Sequence, residues 1–139
     1  MRMPSLYAGE HRSDRTNDCI VRAMSNLTLL DYLECEQILI PYGYRINKGI
    51  KEHGIVDAAP EFGLRHMCVF GKRDIYAPKL NKSKAKGISL GNFIKQYPKG
   101  KFLVPYSRHV VAVVDGNIID TFDNNPKRRV IAAISFNSF

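Results

Sequence analysis

Cys19, His109 and Asp120 are the residues of this chain whose types could together perform covalent chemistry. A thiol can attack a carbonyl, an imidazole can take up and return its proton, and a carboxylate can hold the imidazole in one tautomer. Cys19 follows Thr16-Asn17-Asp18 and opens a helical pattern. A thiol in the first turn of a helix meets unpaired N–H groups and the positive end of the helix dipole, which favour the thiolate. Its own backbone N–H is then available to a developing oxyanion. A free cysteine taken alone is more often a small buried hydrophobe. Cys35, within a helical pattern, and Cys68, within a strand pattern, fit that description better.

His109 opens the apolar run Val110–Val114, and Asp115-Gly116 after it favours a two-residue type I′ hairpin turn. In that register Val114 pairs with Asn117, His109 with Phe122, and Asp120 with Val111. Asp120 then shares a face with His109 one diagonal step away, roughly 7–8 Å between Cα atoms, within carboxylate–imidazole reach. Asp123 lies opposite Arg108 and points the other way. The hairpin therefore selects Asp120.

These residues need elements to hold them. Residues 1–15 lack periodicity and read as an extended arm. A first helix runs from Asp18 with Ile20, Val21, Met24 and Leu27 at helical spacing, and Asn17 or Asp18 serves as its N-cap. A second begins at Asp31, carries Leu33, Cys35, Gln37 and Ile38, and ends before Pro41 and Gly43; Glu34 and Glu36 read as its surface. Residues 44–49 form a loop. A third, short helix starts at Ile50 or Val56 and closes at Phe62-Gly63. Leu64–Phe70 reads as a strand, 71–88 as a basic loop, and Ser89 caps a fourth helix with Leu90, Phe93, Ile94 and Tyr97. Strands follow at Lys101–Tyr106, His109–Val114, Asn117–Phe122 and Arg129–Phe136. Helices first and an antiparallel sheet later make one α+β domain over 1–139.

The order Asn17-Asp18-Cys19 at a helix start, His109 on a late strand and Asp120 on its hairpin partner resembles the papain-like cysteine peptidase superfamily. It is most similar to the compact bacteriocin-leader peptidases, in which Asp-Cys opens the helix. The segments 16–23 and 109–116 also resemble those of small uncharacterised proteins of tailed bacteriophages. The resemblance implies a papain-like fold, with Cys19 as nucleophile, His109 as general base and Asp120 as orienting acid. Such peptidases place a Gln six residues before the Cys as an oxyanion donor. That position is Ser13 here, and Asn17 is the nearest side-chain amide. The expected activity is hydrolysis of a peptide or isopeptide bond in a protein or peptide substrate, in the host cytoplasm or the virion. The same triad could pass the acyl group to an amine instead of water.

Composition bears on the partners. The net charge of +8 is local: between Lys72 and Lys101 nine basic residues stand against one acid, Asp74. Lys79, Lys82, Lys84 and Lys86 are its densest part, and such an excess suits an acidic protein or nucleic acid. A second reading is therefore a decayed papain-like binding or virion-structural protein. The start Met1–Tyr7 lacks an apolar signal core, and no apolar run nears the roughly 18 residues of a membrane span, so no membrane partner is expected. Three widely spaced cysteines make no disulfide framework. His53, His66 and Cys68 lack the spacing of a metal site, and no loop has a nucleotide-binding pattern, so neither metal nor cofactor is expected.

Overall fold

The apolar spacing after Asp18 becomes helix α1, Cys19–Thr28, in which Ile20, Val21, Met24 and Leu27 are all buried. So are Arg22, Ser25 and Asn26, which means that α1 is covered on its polar side too. Helix α2, Tyr32–Leu39, starts where the Asp31 carboxylate accepts the Leu33 N–H at 3.2 Å. It passes into a 3-10 turn, Ile40–Tyr42, with Pro41 in the first turn and Gly43 in the left-handed conformation at φ 101°. Leu33 is exposed. Helix α3, Glu52–Ala58, runs into a second 3-10 turn, Ala59–Phe62. Pro60 is accommodated there because the first turn of a helix needs no N–H from it.

The computed structural model describes residues 2–3, 14–70, 87–106, 109–119 and 128–139. Its strands are β1 (Arg2–Met3), β2 (His66–Val69), β3 (Ile88–Ser89), β4 (Lys101–Tyr106), β5 (His109–Val114), β6 (Asn117–Ile119), β7 (Arg129–Val130) and β8 (Ala132–Ser135). Six form one sheet in the order β1-β6-β5-β4-β8-β2, and β3 pairs with β7 separately. Helix α4, Leu90–Gln96, starts at Ser89, whose hydroxyl accepts the Asn92 N–H. The α+β arrangement of helices followed by an antiparallel sheet is present. Three details differ from expectation. The strand expected over Arg129–Phe136 is broken at Ile131 into β7 and β8, which join different sheets. Within the extended arm, Arg2–Met3 forms an edge strand, parallel to Ile118–Ile119. The 71–88 loop ends early, because Ile88 already pairs with Val130.

Each face of the sheet carries its own core. Val110 and Ala112 of β5, Leu103 of β4, Ile119 of β6 and Ile134 of β8 pack beneath α1, α2 and α3. Val111 and Val113, with Phe102, Val104, Ile118 and Ala133, pack with Leu90 and Phe93 of α4 on the other side. Strict alternation along β5, apolar at both parities, is what a central strand covered on both faces requires. Among the described residues no helix is long and apolar enough to cross a membrane.

The β5–β6 hairpin has the expected register: Val114 pairs with Asn117, Val113 with Ile118 and Ala112 with Ile119. Asp115 and Gly116 both have positive φ, 49° and 78°, as a type I′ turn demands. The turn is tied to the start of β4, where Gly100 N–H donates to Asp115 Oδ1 at 2.9 Å and Asp115 N–H to the Gly100 carbonyl at 2.8 Å.

Candidate active site at the start of α1

Cys19 is the first residue of α1, half-buried, and borders the core under the helices. The chain reaches it through Asn17, whose φ of 54° is left-handed. Asparagine tolerates that conformation better than most residues. The approach is held from outside by the turn at 45–49, closed by a bridge between Arg45 and Gly49. Thr16 N–H donates to Asn47 Oδ1 at 2.8 Å, and the Asn17 side-chain amide donates to the Asn47 carbonyl at 3.0 Å. The Asn17 amide nitrogen, an expected oxyanion donor, is thus committed to the loop.

Beneath this segment lies a buried polar network. Arg15 Nε donates to Glu36 Oε2 at 2.7 Å and Nη2 to Oε1 at 3.0 Å, a fork-to-fork pair. Glu36 is almost wholly buried, which corrects its reading as surface. Asp18 is the N-cap of α1 by position, yet its side chain makes no capping bond. It turns inward instead. Its Oδ2 accepts the Tyr32 hydroxyl at 2.7 Å, and its Oδ1 faces Arg22 Nε at 3.4 Å, one turn along α1.

The electrostatics follow from this burial. Removal from water, and then the hydrogen bond to Asp18, push the Tyr32 phenol well above its ordinary range. Hydrogen bonding to the Glu36 carboxylate holds the Arg15 guanidinium more firmly protonated. Tyr44, just before the 45–49 turn, is pushed up to about 12, first by burial and then by the carboxylates of Glu36 and Asp18. Its hydroxyl is buried without a hydrogen-bond partner among the described residues, a condition that costs about 1–3 kcal/mol. Burial also pushes the Cys35 thiol up to about 11, so Cys35 remains a neutral core residue.

His109 is the first residue of β5, half-buried, and pairs with Tyr106. Helix α1 packs across β5, so Cys19 and His109 open two elements in mutual contact. Alternation qualifies that juxtaposition. Val110 and Ala112 face α1, whereas Val111 and Val113 face α4, which assigns His109 to the α4 side. Asp120, Ser13, Lys79, Lys82, Lys84 and Lys86 lie outside the described residues. A cavity of about 510 Å³ opens among Tyr97, Lys101, Phe102, Asp115 and Phe139. It lies at the opposite end of the β4–β5 pair from His109, because Lys101 pairs with Val114.

Sequence reasoning missed Arg15, Tyr32, Glu36 and Tyr44. Helical phase carried the signal for two of them, since Tyr32, Cys35, Glu36 and Leu39 form one buried stripe of α2. Comparison with protein-family models, curated proteins and solved structures returns no match.

Proposed function

We propose that this chain is a cysteine hydrolase of papain-like type, phage-encoded, cleaving a peptide or isopeptide bond in the host cytoplasm or the virion. The observation that carries the reading is the place of Cys19 at the first position of a ten-residue helix packed on the strand that His109 begins. The Cys19 thiolate attacks the carbonyl carbon, and the charge moves to the carbonyl oxygen beside the helix N–H groups. The C–N bond breaks as the His109 imidazolium gives its proton to the leaving amine, and a thioester remains. His109 then takes a proton from water, the hydroxide displaces the sulfur, and the carboxylic acid leaves. Asp120 orients the imidazole if β6 continues in the register of its first three residues.

An activated ester tests this without knowledge of the substrate. Incubation with p-nitrophenyl acetate is expected to add one acetyl group to Cys19, with nitrophenol released in a burst. Cys19→Ala should keep the melting temperature and lose the burst. A burst of equal size in that variant would remove Cys19 from the mechanism.

The alternation that carries His109 towards α4 favours the second reading, a decayed fold that binds an acidic partner. Its support in the sequence is the charge excess at 72–101. On that reading, neutralising Lys79, Lys82, Lys84 and Lys86 abolishes salt-sensitive binding to single-stranded DNA or polyglutamate, and Cys19→Ala leaves it unchanged.

A further inference from the structure

We propose that the cavity at the Lys101–Val114 end of the β4–β5 pair binds a nucleotide, its base stacked on Phe139 and its phosphate at Lys99 and Lys101. The inference is independent of the hydrolase reading; it rests on the acidic-partner reading and names the chemistry of that partner. Five rings, Phe70, Phe93, Tyr97, Phe102 and Phe139, run from the core to this cavity with neighbouring centroids 5.2 Å to 6.0 Å apart. Phe93 is wholly buried at the inner end, and Phe139 is 41% exposed at the outer end. The Phe139 ring stands edge to face with Tyr97, at 87°, and is tilted by 35° against Phe102. Packing on two sides holds the exposed ring in place before a ligand arrives, so stacking on it costs little further ordering.

Charge narrows the choice of ligand. Lys99 and Lys101 are exposed, border the same cavity and are the last two cations of the basic segment. Asp115 is the carboxylate side chain among the lining residues, and its Oδ1 accepts the Gly100 N–H at 2.9 Å. The cations thus outnumber the anion two to one. A volume of about 510 Å³ falls within the range of about 300–1,000 Å³ typical of small-molecule sites. A purely apolar ligand would leave both ammonium groups unmatched, and an acidic peptide would leave the aromatic surface uncovered. A nucleotide carries a π-face and an anion in one molecule. Aromatic rings beside lysines are also how single strands are held without regard to sequence.

The test uses the whole chain, AMP and a labelled oligodeoxyadenylate of about eight nucleotides, a length within single-strand site sizes, between about 50 mM and 200 mM salt. The chain has no tryptophan, so Phe139→Trp installs a single reporter, and saturable quenching of its fluorescence is expected as a base stacks on it. By anisotropy, Phe139→Ala should bind the oligonucleotide about fivefold or more weakly than the wild type, with an unchanged salt slope. Replacing both lysines, Lys99→Gln with Lys101→Gln, should make the slope of log K against log salt shallower by about 1.4. Tighter binding of the oligonucleotide than of AMP identifies a strand as the ligand, and equal binding a free nucleotide; either supports the proposal. Absence of quenching, or undiminished affinity in a folded Phe139→Ala, overturns it. Binding that is lost only when Lys79, Lys82, Lys84 and Lys86 are neutralised, or binding of polyglutamate alone, overturns this inference and leaves the acidic-partner reading standing. Binding of neither polyanion overturns both.

Discussion

The guanidinium of Arg15 grips the carboxylate of Glu36 through two hydrogen bonds, 2.7 Å and 3.0 Å long, four residues before Cys19. Arg15 comes from the chain that enters α1, and Glu36 from the buried stripe of α2. The pair fixes where α1 begins, and so where the thiol stands. A carboxylate removed from water needs this kind of partner, because an unpaired buried charge is far costlier than a paired one.

Glu36→Ala removes the anchor and leaves Arg15 without its acceptor. The urea midpoint should fall, and Glu36→Gln, which keeps one acceptor oxygen, should lower it less. Hydrogen exchange at residues 16–20 should quicken in both variants. Unchanged midpoints would show that the segment is held elsewhere.

Tyr32→Phe leaves the Asp18 carboxylate buried with one donor fewer. The expected cost is about 1–3 kcal/mol of unfolding free energy. Denaturant titration of the two proteins measures it, and a difference near zero would mean that Arg22 alone satisfies Asp18.

Stability should decline in alkali. Tyr32, Tyr44 and Cys35 all hold their protons more tightly when folded than their ordinary values of 10.0, 10.0 and 9.0 allow. As pH rises, the unfolded chain sheds these protons first, so it binds fewer than the folded state and stability falls. The contribution is intact below about pH 9 and is lost progressively towards about pH 12. Urea midpoints on either side of pH 10 should show the drop, and Tyr44→Phe should reduce it. A midpoint independent of pH across that window would contradict the account.

Gly54 in α3 sits where an added Cβ would lie 2.5 Å from the Tyr42 carbonyl oxygen. That carbonyl belongs to the 3-10 turn two residues before Tyr44. Gly54→Ala therefore pushes the turn outward, despite the better helix propensity of alanine. A loss of about 1–3 kcal/mol is expected, as for other overpacked cores. A gain in stability would show that the turn yields freely.

Much of the fold was legible because its signals are local. Ser89 caps the helix that it was expected to cap, Asp31 stands where the second helix was expected to begin, and Gly43 and Gly63 adopt the left-handed conformation that ends a helix. Asp115-Gly116 set the hairpin register by turn chemistry alone. The site was less legible, because its partners are far apart in sequence. Nothing near Glu36 announces that Arg15 will reach it, and the phase of α2 had to outweigh the habit of placing glutamate outside. Asp18 suited a helix cap, but Tyr32 and Arg22 compete for the same oxygens and win, since an unpaired buried carboxylate would cost more than a missing cap. The side of β5 on which His109 stands depends on which core each valine joins. An apolar run on both faces leaves that unspecified until the sheet is assembled.

If His109 acts on Cys19, the rate of Cys19 alkylation by iodoacetamide at about pH 6 reports it, because an imidazolium partner sustains a thiolate where an isolated thiol is almost fully protonated. Rapid modification of the wild type is expected, with at least tenfold slower modification of His109→Ala and recovery of the variant's rate as the pH is raised past about 8.5. Equal rates for the two proteins at the lower pH would contradict it.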